Sequence, residues 1–404
     1  MRPITLGRAI LDEASDRSFA LDPGLAAFAG LLLAYVTALA ALATLSPFDF
    51  GRVPLHGYSL WLSRSDIALN LALLFPAGFL FRLARGGRGG ASCWDALALG
   101  LAFSFALELL QTFLPSRVSS PIDVLTNGLG AWAGALTHSR LGPWLDQRLQ
   151  KQLSLHLPLA NILYLLVPLC SLDALSTPHW QAGAGALPLA AFMAWIAAGL
   201  YKHRLLAGQR PFAWRYSCAI GAVFGVGYLP SASSLPLLLA ALSGSTVCLT
   251  RLAIAVVARI PKTERRFVPS TIRGALPWFL GYLLILGVRS RLDPQFVAGQ
   301  PDAMLLLRDV AAFTLFGYLV SELRARSMAS SVRVVVSAVA VGALIGAVCI
   351  LLRDGERALV ASLQAVLALA LATLTGAIIH RAQLRLVRSW GHSWRPPSPV
   401  ARAR

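Results

Sequence analysis

Three pairs of acidic and amide residues interrupt otherwise apolar stretches of the chain. Each pair is spaced three or four residues apart, which places both members on one face of a helix. The pairs are Asp66 with Asn70, Glu108 with Gln111, and Asp123 with Asn127. A basic residue, Arg117, lies between the second and third pairs. Carboxylate and amide groups in this arrangement can hold a cation or a cationic group of a ligand.

Glu108 is the most unusual of these residues, since it interrupts the apolar stretch LALGLAFSFALELL. An ionisable residue inside a membrane costs roughly 2–3 kcal/mol or more unless it has partners or faces water. One interpretation is a structural clamp, in which Glu108 and Asp123 pair with Arg117 and the amides. The other is a binding site open to the outer face. Three carboxylates against one guanidinium favour a bound cation, a protonated Glu108 or a cationic ligand group.

The composition indicates that membrane helices position these residues. Of the 404 residues, 56% are hydrophobic and only 13% are charged, against about 25% charged residues in soluble domains. A spanning helix needs about 20 mostly apolar residues. We therefore predict an all-α, polytopic transmembrane bundle of about twelve helices. The segments are 25–45, 66–82, 94–114, 122–138, 155–172, 186–201, 214–230, 235–257, 274–289, 303–320, 334–352 and 358–379.

The distribution of basic residues predicts how the bundle is oriented. With the N-terminus in the cytoplasm, 27 basic residues fall in inside segments and 7 in outside loops. Because Lys and Arg are enriched on the cytoplasmic side, both termini are expected there. The three polar pairs then share a layer beneath the outer surface. Nucleic acid is not expected as a partner despite the net charge of +18, because the arginines lie in short clusters between apolar runs.

The segments divide into groups that suggest an internal repeat. Aligning Asp66 with Asp309 gives an offset of 243 residues, and the group ends GALTH (134–138) and GAIIH (376–380) give 242. A shared offset favours a degenerate repeat, and chance similarity between apolar sequences is the alternative. The predicted parts are a cytoplasmic N-terminal segment (1–24), a first four-helix group (25–138), a second (155–257), a third (274–379) and a basic, Pro-rich cytoplasmic tail (380–404).

The second half of the chain is expected to offer few polar partners. Arg308 should extend to the membrane interface rather than pair with Asp309, because adjacent residues on a helix point to different faces. His138 and His380 are expected to end their helices at the cytoplasmic side, where a cation suits the helix dipole.

Three stretches of the first half resemble the VanZ-like family of bacterial membrane proteins. They are TLSPFDF, SDIALNLALLFPAGFLF and ALELLQTFLPSRVSSPIDVLTNGLGAWAG, which cover about residues 40–138. All seven polar residues introduced above fall at motif positions. The resemblance implies a helical domain in the bacterial plasma membrane, and the founding role of the family is low-level resistance to teicoplanin. It supplies no agreed catalytic residues.

Three functions are compatible with these observations. The first is a protein that binds membrane lipids, through a polar headgroup, or a cell-wall precursor at the outer-face cluster, and so affects glycopeptide sensitivity. The second is a secondary transporter or lipid flippase, and the third is a membrane-embedded enzyme that uses Glu108 as an acid or base. No metal or cofactor is predicted, because the five cysteines form no CxxC pair and no nucleotide motif occurs. No pattern indicates an oligomeric state.

Overall fold

A computed structural model provides the architecture of the chain. It describes residues 23–46, 48–51, 64–85, 92–115, 118–176, 182–202, 210–229, 236–258, 267–292, 303–325, 331–354 and 359–393. Most of the predicted N-terminal segment and the end of the predicted tail lie outside these ranges.

The described residues form α-helices and no β-strand, which confirms the prediction of an all-α bundle. Eleven helices occur in these ranges. They are α1 (Pro23–Leu45), α2 (Arg64–Arg85), α3 (Cys93–Gln111), α4 (Pro121–Leu175), α5 (Ala182–Leu200), α6 (Arg210–Gly227), α7 (Pro236–Ala258), α8 (Phe267–Leu292), α9 (Ala303–Arg324), α10 (Ser331–Asp354) and α11 (Leu359–Ser393).

Local sequence signals fix where the helices around the polar pairs begin. Ser92 and Asp95 form a capping box at the start of α3, in which each side chain accepts the backbone N–H of the other residue. This satisfies two donors that the first helical turn leaves without partners. Pro121 occupies the first turn of α4, where its missing N–H costs no hydrogen bond.

Nine helical segments in the described ranges are long and apolar enough to cross a membrane, and Gly185–Leu200 in α5 is a shorter apolar helix. The chain is therefore a multi-pass membrane protein. The predicted spans 122–138 and 214–230 are not among the nine. The first of them contains Asp123, Asn127 and three glycines, which lower its mean hydropathy.

Helix α4 differs from the prediction. Separate helices were expected over 122–138 and 155–172, yet α4 runs without interruption for 55 residues. His138 consequently lies within a helix instead of ending one, and His380 likewise lies within α11. The segment between the two apolar parts is RLGPWLDQRLQKQLSLH. Its Arg, Lys, Gln and Leu residues favour helix, whereas Gly142 and Pro143 are poor helix formers, and a proline inside a helix commonly kinks it.

Helix α4 is too long for a single straight crossing. At 1.5 Å per residue it would extend roughly 80 Å, against about 30 Å of hydrocarbon. Leu33 of α1 packs against the cluster that contains Ala131, while Tyr35 lies within electrostatic reach of Tyr164. A straight helix would separate residues 131 and 164 by roughly 50 Å. Helix α4 therefore bends, so that both of its apolar parts lie beside α1.

The same close packing occurs twice in the bundle, once for α2, α3 and α4 and once for α9, α10 and α11. A Cβ added at Gly134 would lie 2.0 Å from the carbonyl oxygen of Phe75, and one added at Gly376 would lie 1.9 Å from that of Thr314. Small residues at these points let the helix backbones approach closely. The other matching pairs are Gly78–Ala131 with Gly317–Thr373, Gly100–Ala131 with Gly342–Thr373, and the ring pairs Phe79–His138 with Tyr318–His380.

These contacts define which residues correspond between the two sets of helices. Positions in α2 and α9 differ by 239 residues, and positions in α3 and α10 or in α4 and α11 differ by 242. The offset of 242 agrees with the sequence alignment of the group ends. The alignment of Asp66 with Asp309 does not, since the contacts relate Asp309 to Asn70 instead.

Candidate functional site

Glu108 joins the end of α3 to the start of α4. Its side-chain Oε2 accepts a hydrogen bond of 2.8 Å from the backbone N–H of Ser120, and its backbone carbonyl accepts one of 2.9 Å from the Ser119 hydroxyl. Ser120 is the residue before α4 and makes no side-chain cap of its own. A carboxylate at a helix N-terminus satisfies a free N–H and interacts favourably with the helix dipole. Glu108, which is 7% exposed, therefore supplies the cap of a neighbouring helix.

Gln111 joins α3 to the end of α1. Its Nε2 donates a hydrogen bond of 3.0 Å to the backbone carbonyl of Thr44. Six residues after the end of α1, the backbone N–H of Gly51 donates a hydrogen bond of 2.7 Å to the backbone carbonyl of Phe113. The ends of α1 and α3 are thus fixed to each other at two points.

The segment after α1 carries two exposed aromatic rings beside this junction. Phe48 and Phe50 are exposed, as is Asp49 between them. Phe48 has a φ of 67°, a left-handed conformation that is strained for a bulky residue. Aromatic rings favour the interface between lipid and water, so this segment forms an apolar rim next to the polar residues.

The pair Asp66 and Asn70 of α2 meets Asp123 of α4. Nδ2 of Asn70 donates to Oδ1 of Asp123 at 2.7 Å. Asp66 is exposed and lies within electrostatic reach of Asp123. Asp123 itself is half-buried. Two carboxylates and one amide therefore lie together where α2 and α4 begin.

Asn127 lies one turn further along α4 and contacts α3. Its Nδ2 donates to the hydroxyl of Ser104 at 3.0 Å. Within the described ranges, its buried Oδ1 has no hydrogen-bond partner, and the same holds for the hydroxyl oxygen of Ser120. A buried polar atom without a partner costs about 1–3 kcal/mol unless water or a ligand supplies the missing bond.

Six of the seven predicted site residues thus lie at the ends of the first four helices, where they make separate contacts between those helices, and we call these six residues the polar cluster. It joins the C-terminal ends of α1 and α3 to the N-terminal ends of α2 and α4. The seventh residue, Arg117, lies outside the described residues. The members of the polar cluster are Asp66, Asn70, Glu108, Gln111, Asp123 and Asn127.

Sequence reasoning missed the partners of these residues, notably Ser104, Ser119 and Ser120. A serine in an apolar stretch gives little signal, because most such hydroxyls bond the carbonyl four residues earlier in their own helix. Thr126 of α4 does so, with a distance of 2.9 Å to the carbonyl of Ile122.

The glycines of α4 hold this helix against its neighbours. Gly130 and Gly134 have the GxxxG spacing that is typical of closely packed membrane helices. The two glycines face the backbone carbonyls of Leu71 and Phe75 in α2. Contact with α3 comes through Gly128 and through the bond from Asn127.

Two further polar groups involve residues beyond the first four-helix group, where few were expected. Asp173 at the end of α4 is fully buried and accepts hydrogen bonds from Tyr228 at 2.8 Å and from Tyr282 at 3.1 Å. Arg308 is 4% exposed and pairs with Asp309 at 3.0 Å. The expectation that Arg308 extends to the interface is wrong, because burial inside the bundle makes the adjacent carboxylate its nearest counter-charge.

No three His, Cys, Asp or Glu side chains in the described ranges lie close enough to hold a metal ion together.

Comparison with known proteins identifies the part of the chain that holds the polar cluster. The sequence model of the VanZ/LLP1 family matches residues 25–142. This match includes α1, α2, α3 and the first part of α4, and it confirms the resemblance found from the motifs. No curated protein and no solved structure matches the chain.

Proposed function

Taking residues 25–142 as a VanZ-like segment, we propose that the polar cluster binds the cationic headgroup of a membrane lipid or of a lipid-linked cell-wall precursor. The ligand approaches from the outer face, and its binding alters the sensitivity of the envelope to glycopeptide antibiotics of the teicoplanin type. The observation that carries the proposal is that Asp66 and Asp123, at the beginning of α2 and α4, lie within electrostatic reach of each other, with Asn70 bonded to Asp123.

Charge and accessibility support a cationic ligand. Asp66 is exposed and Asp123 is half-buried, so both carboxylates can be reached from the end of the bundle. Two like charges repel each other, and a cationic group between them removes this repulsion. An ammonium group offers three donors to carboxylate and amide oxygens.

The remaining members of the polar cluster support the same proposal by positioning these carboxylates. Glu108 caps α4 through Ser120, and Asn70 holds one oxygen of Asp123. The unpartnered Oδ1 of Asn127 and hydroxyl of Ser120 add hydrogen-bonding capacity beneath the carboxylates. The exposed rings of Phe48 and Phe50 suit contact with the acyl region of an amphiphile.

A lipid-retention assay tests the identity of the ligand. The purified protein is incorporated into nanodiscs of phosphatidylethanolamine, which has an ammonium group, or of phosphatidylglycerol, which has none, and retained lipid is counted by native mass spectrometry. We expect preferential retention of phosphatidylethanolamine, reduced at least fivefold in the D66N/D123N variant. A third set of nanodiscs contains the lipid-linked disaccharide-peptide precursor, and stronger retention there identifies the precursor as the ligand. Equal retention of all three by both proteins contradicts the proposal.

A drug-sensitivity assay tests the consequence in cells. D66N/D123N should lower the minimal inhibitory concentration of teicoplanin to that of a host without the protein, at equal protein level in the membrane. The matched control is Asp95→Asn, which alters an exposed acid at the opposite end of α3 and keeps a capping oxygen. Unchanged resistance of D66N/D123N would exclude the antibiotic role.

A secondary transporter or flippase is the second candidate. It is favoured by the buried polar residues of the second half, since ionisable groups inside the membrane commonly mark a substrate or ion pathway. Helix α9 carries Arg308 and Asp309 near one end and Glu322 near the other. Movement of a fluorescent phospholipid across reconstituted liposomes, lost in Asp173→Asn, would favour this function over binding alone.

A further inference from the structure

A buried histidine–glutamate pair lies in the second half, outside the VanZ-like segment. Nε2 of His380 in α11 lies 2.9 Å from Oε2 of Glu322 in α9, and their side chains are 2% and 5% exposed. Beside them, Gln383 accepts short hydrogen bonds on its Oε1 from Asn161 and from the Tyr318 hydroxyl. These five residues come from α4, α9 and α11, and we call them the histidine cluster.

The first half of the chain provides an internal comparison for this cluster. The rings of Tyr318 and His380 meet edge to face at 5.6 Å and 80°, and those of Phe79 and His138 meet in the same way at 5.1 Å and 79°. By the offset of 239 residues, Glu322 corresponds to Leu83. The helices around His138 therefore pack in the same way with Leu83 at the position that corresponds to Glu322. The carboxylate beside His380 is not needed to pack the helices.

One polar atom of the histidine cluster has no hydrogen-bond partner among the described residues. It is Nε2 of Gln383, a residue that is 1% exposed. A purely structural clamp gains nothing from such groups, because each costs about 1–3 kcal/mol when left without a bond. Buried groups of this kind are ordinarily satisfied by ordered water, which also carries protons.

We propose that the histidine cluster is a proton-binding site inside the membrane, with His380 and Glu322 as the groups that hold the proton. Histidine is the side chain whose ordinary titration lies in the physiological pH range. In the state without the proton, neutral imidazole and carboxylate carry a charge of −1. Binding of one proton from hydronium forms an N–H bond on the imidazole, releases a water molecule and leaves the pair neutral overall.

The surroundings of the pair determine how it titrates. Tyr318 is the titratable residue in ring contact with His380, so the measured midpoint belongs to the coupled group. Other titratable or charged residues lie on the elements packed around α9 and α11. They include Tyr35 on α1, Tyr164 and Asp173 on α4, Tyr282 on α8, Arg308, Asp309 and Arg324 on α9, Arg333 on α10, and Arg381, Arg385 and Arg388 on α11.

Solid-state NMR of the full chain with ¹⁵N-labelled histidine, in lipid nanodiscs, tests the proposal. We expect one imidazole signal to change between about pH 5 and 8 and to be absent from the spectrum of H380Q. In E322Q, which keeps the shape of the side chain, its midpoint should move by about one pH unit or more. The matched control is H138Q, which should leave this signal and its midpoint unchanged.

Two results would overturn the proposal. One is a His380 signal that stays constant over the whole range, which indicates a fixed structural contact. The other is a midpoint that is the same in E322Q as in the unaltered protein, which indicates that the carboxylate has no part in holding the proton. Because the titration is observed in the unaltered chain, the test does not depend on H380Q folding.

Discussion

At the scale of single residues, two carboxylates of the polar cluster have different surroundings. Glu108 is 7% exposed and caps α4 through Ser120, which makes it a positioning residue. Asp123 is half-buried, and its Oδ1 accepts a hydrogen bond from Asn70. We therefore propose Glu108 for positioning and Asp123 for ligand contact.

In the second half of the chain, Leu369 corresponds to Asn127 and Gly346 corresponds to Ser104. Substituting Asn127 with Leu or Ser104 with Gly therefore removes the hydrogen bond between Asn127 and Ser104. Either single variant, Asn127→Leu or Ser104→Gly, leaves a buried polar group without its partner. Each should lower the free energy of unfolding by about 1–3 kcal/mol. In the double variant S104G/N127L, the loss should be about 1 kcal/mol smaller than the sum, as measured by unfolding in mixed detergent micelles.

A control pair combines S104G with a substitution in another part of the bundle. Ser337 of α10 bonds a carbonyl of its own helix, and α10 packs against α8, α9 and α11, so S104G combined with Ser337→Ala should be additive within about 0.5 kcal/mol. If S104G and N127L were additive to the same degree, the hydrogen bond across α3 and α4 would contribute nothing measurable.

Helical spacing predicted which polar residues share a face, but not the partners across helices. The i,i+4 spacing placed Asp123 and Asn127 on one side of α4, and Asn70 does contact Asp123. The partners of Asp173 could not be inferred, because Tyr228 and Tyr282 are 55 and 109 residues away in the chain. Tyrosine in an apolar helix is also common without any buried acid nearby.

At the scale of helices, backbone contact through glycine holds α2 against α4. Gly134 faces the carbonyl oxygen of Phe75, and no side chain fits between them. The two helices can therefore come close enough for Asn70 to reach Asp123. Packing at these glycines and hydrogen bonding in the polar cluster depend on the same helix separation.

Substituting Gly134 with Ala should weaken both features. The added Cβ would lie 2.0 Å from the Phe75 oxygen, so α2 and α4 must separate. We expect a loss of about 1–3 kcal/mol in the free energy of unfolding, with reduced lipid retention in the nanodisc assay.

Two variants at other glycines serve as controls for the effect of Gly134→Ala. Gly30→Ala places a Cβ where nothing lies within 4 Å, so stability should stay equal or rise slightly because alanine favours helix. Gly376→Ala, which faces Thr314 in the corresponding place, should lose as much stability as G134A but retain lipid normally. Equal stability of G134A and G30A would contradict the close contact.

The bounds of α4 could not be predicted from hydropathy alone. Arg140 and the polar residues after it predicted a loop, because a cytoplasmic connection between two spans is usually polar. The same residues are good helix formers, and the helix continues through them to Leu175. Hydropathy indicates where a helix leaves the lipid, but it does not indicate where the helix ends, because a helix can continue into water.

At the scale of the whole molecule, the proposed orientation depends on α4 passing the membrane twice. Contacts of α1 with both parts of α4 support a reversal between them. By the count of basic residues, 27 against 7, the proposed orientation has both termini on the cytoplasmic side and the polar cluster on the outer side.

Labelling of a single thiol tests the outer position of the polar cluster most directly. Ser119 is 1% exposed, whereas the adjacent Val118 is 57% exposed and suits a reporter. Val118→Cys is placed in a chain whose five cysteines are replaced by alanine. Intact cells are treated with a maleimide that cannot cross lipid, and Arg140→Cys, an exposed position of α4, serves as the cytoplasmic control. The proposed orientation predicts labelling of V118C in intact cells and of R140C only after lysis. Labelling of V118C only after lysis would place the polar cluster on the cytoplasmic side and contradict the proposed binding site.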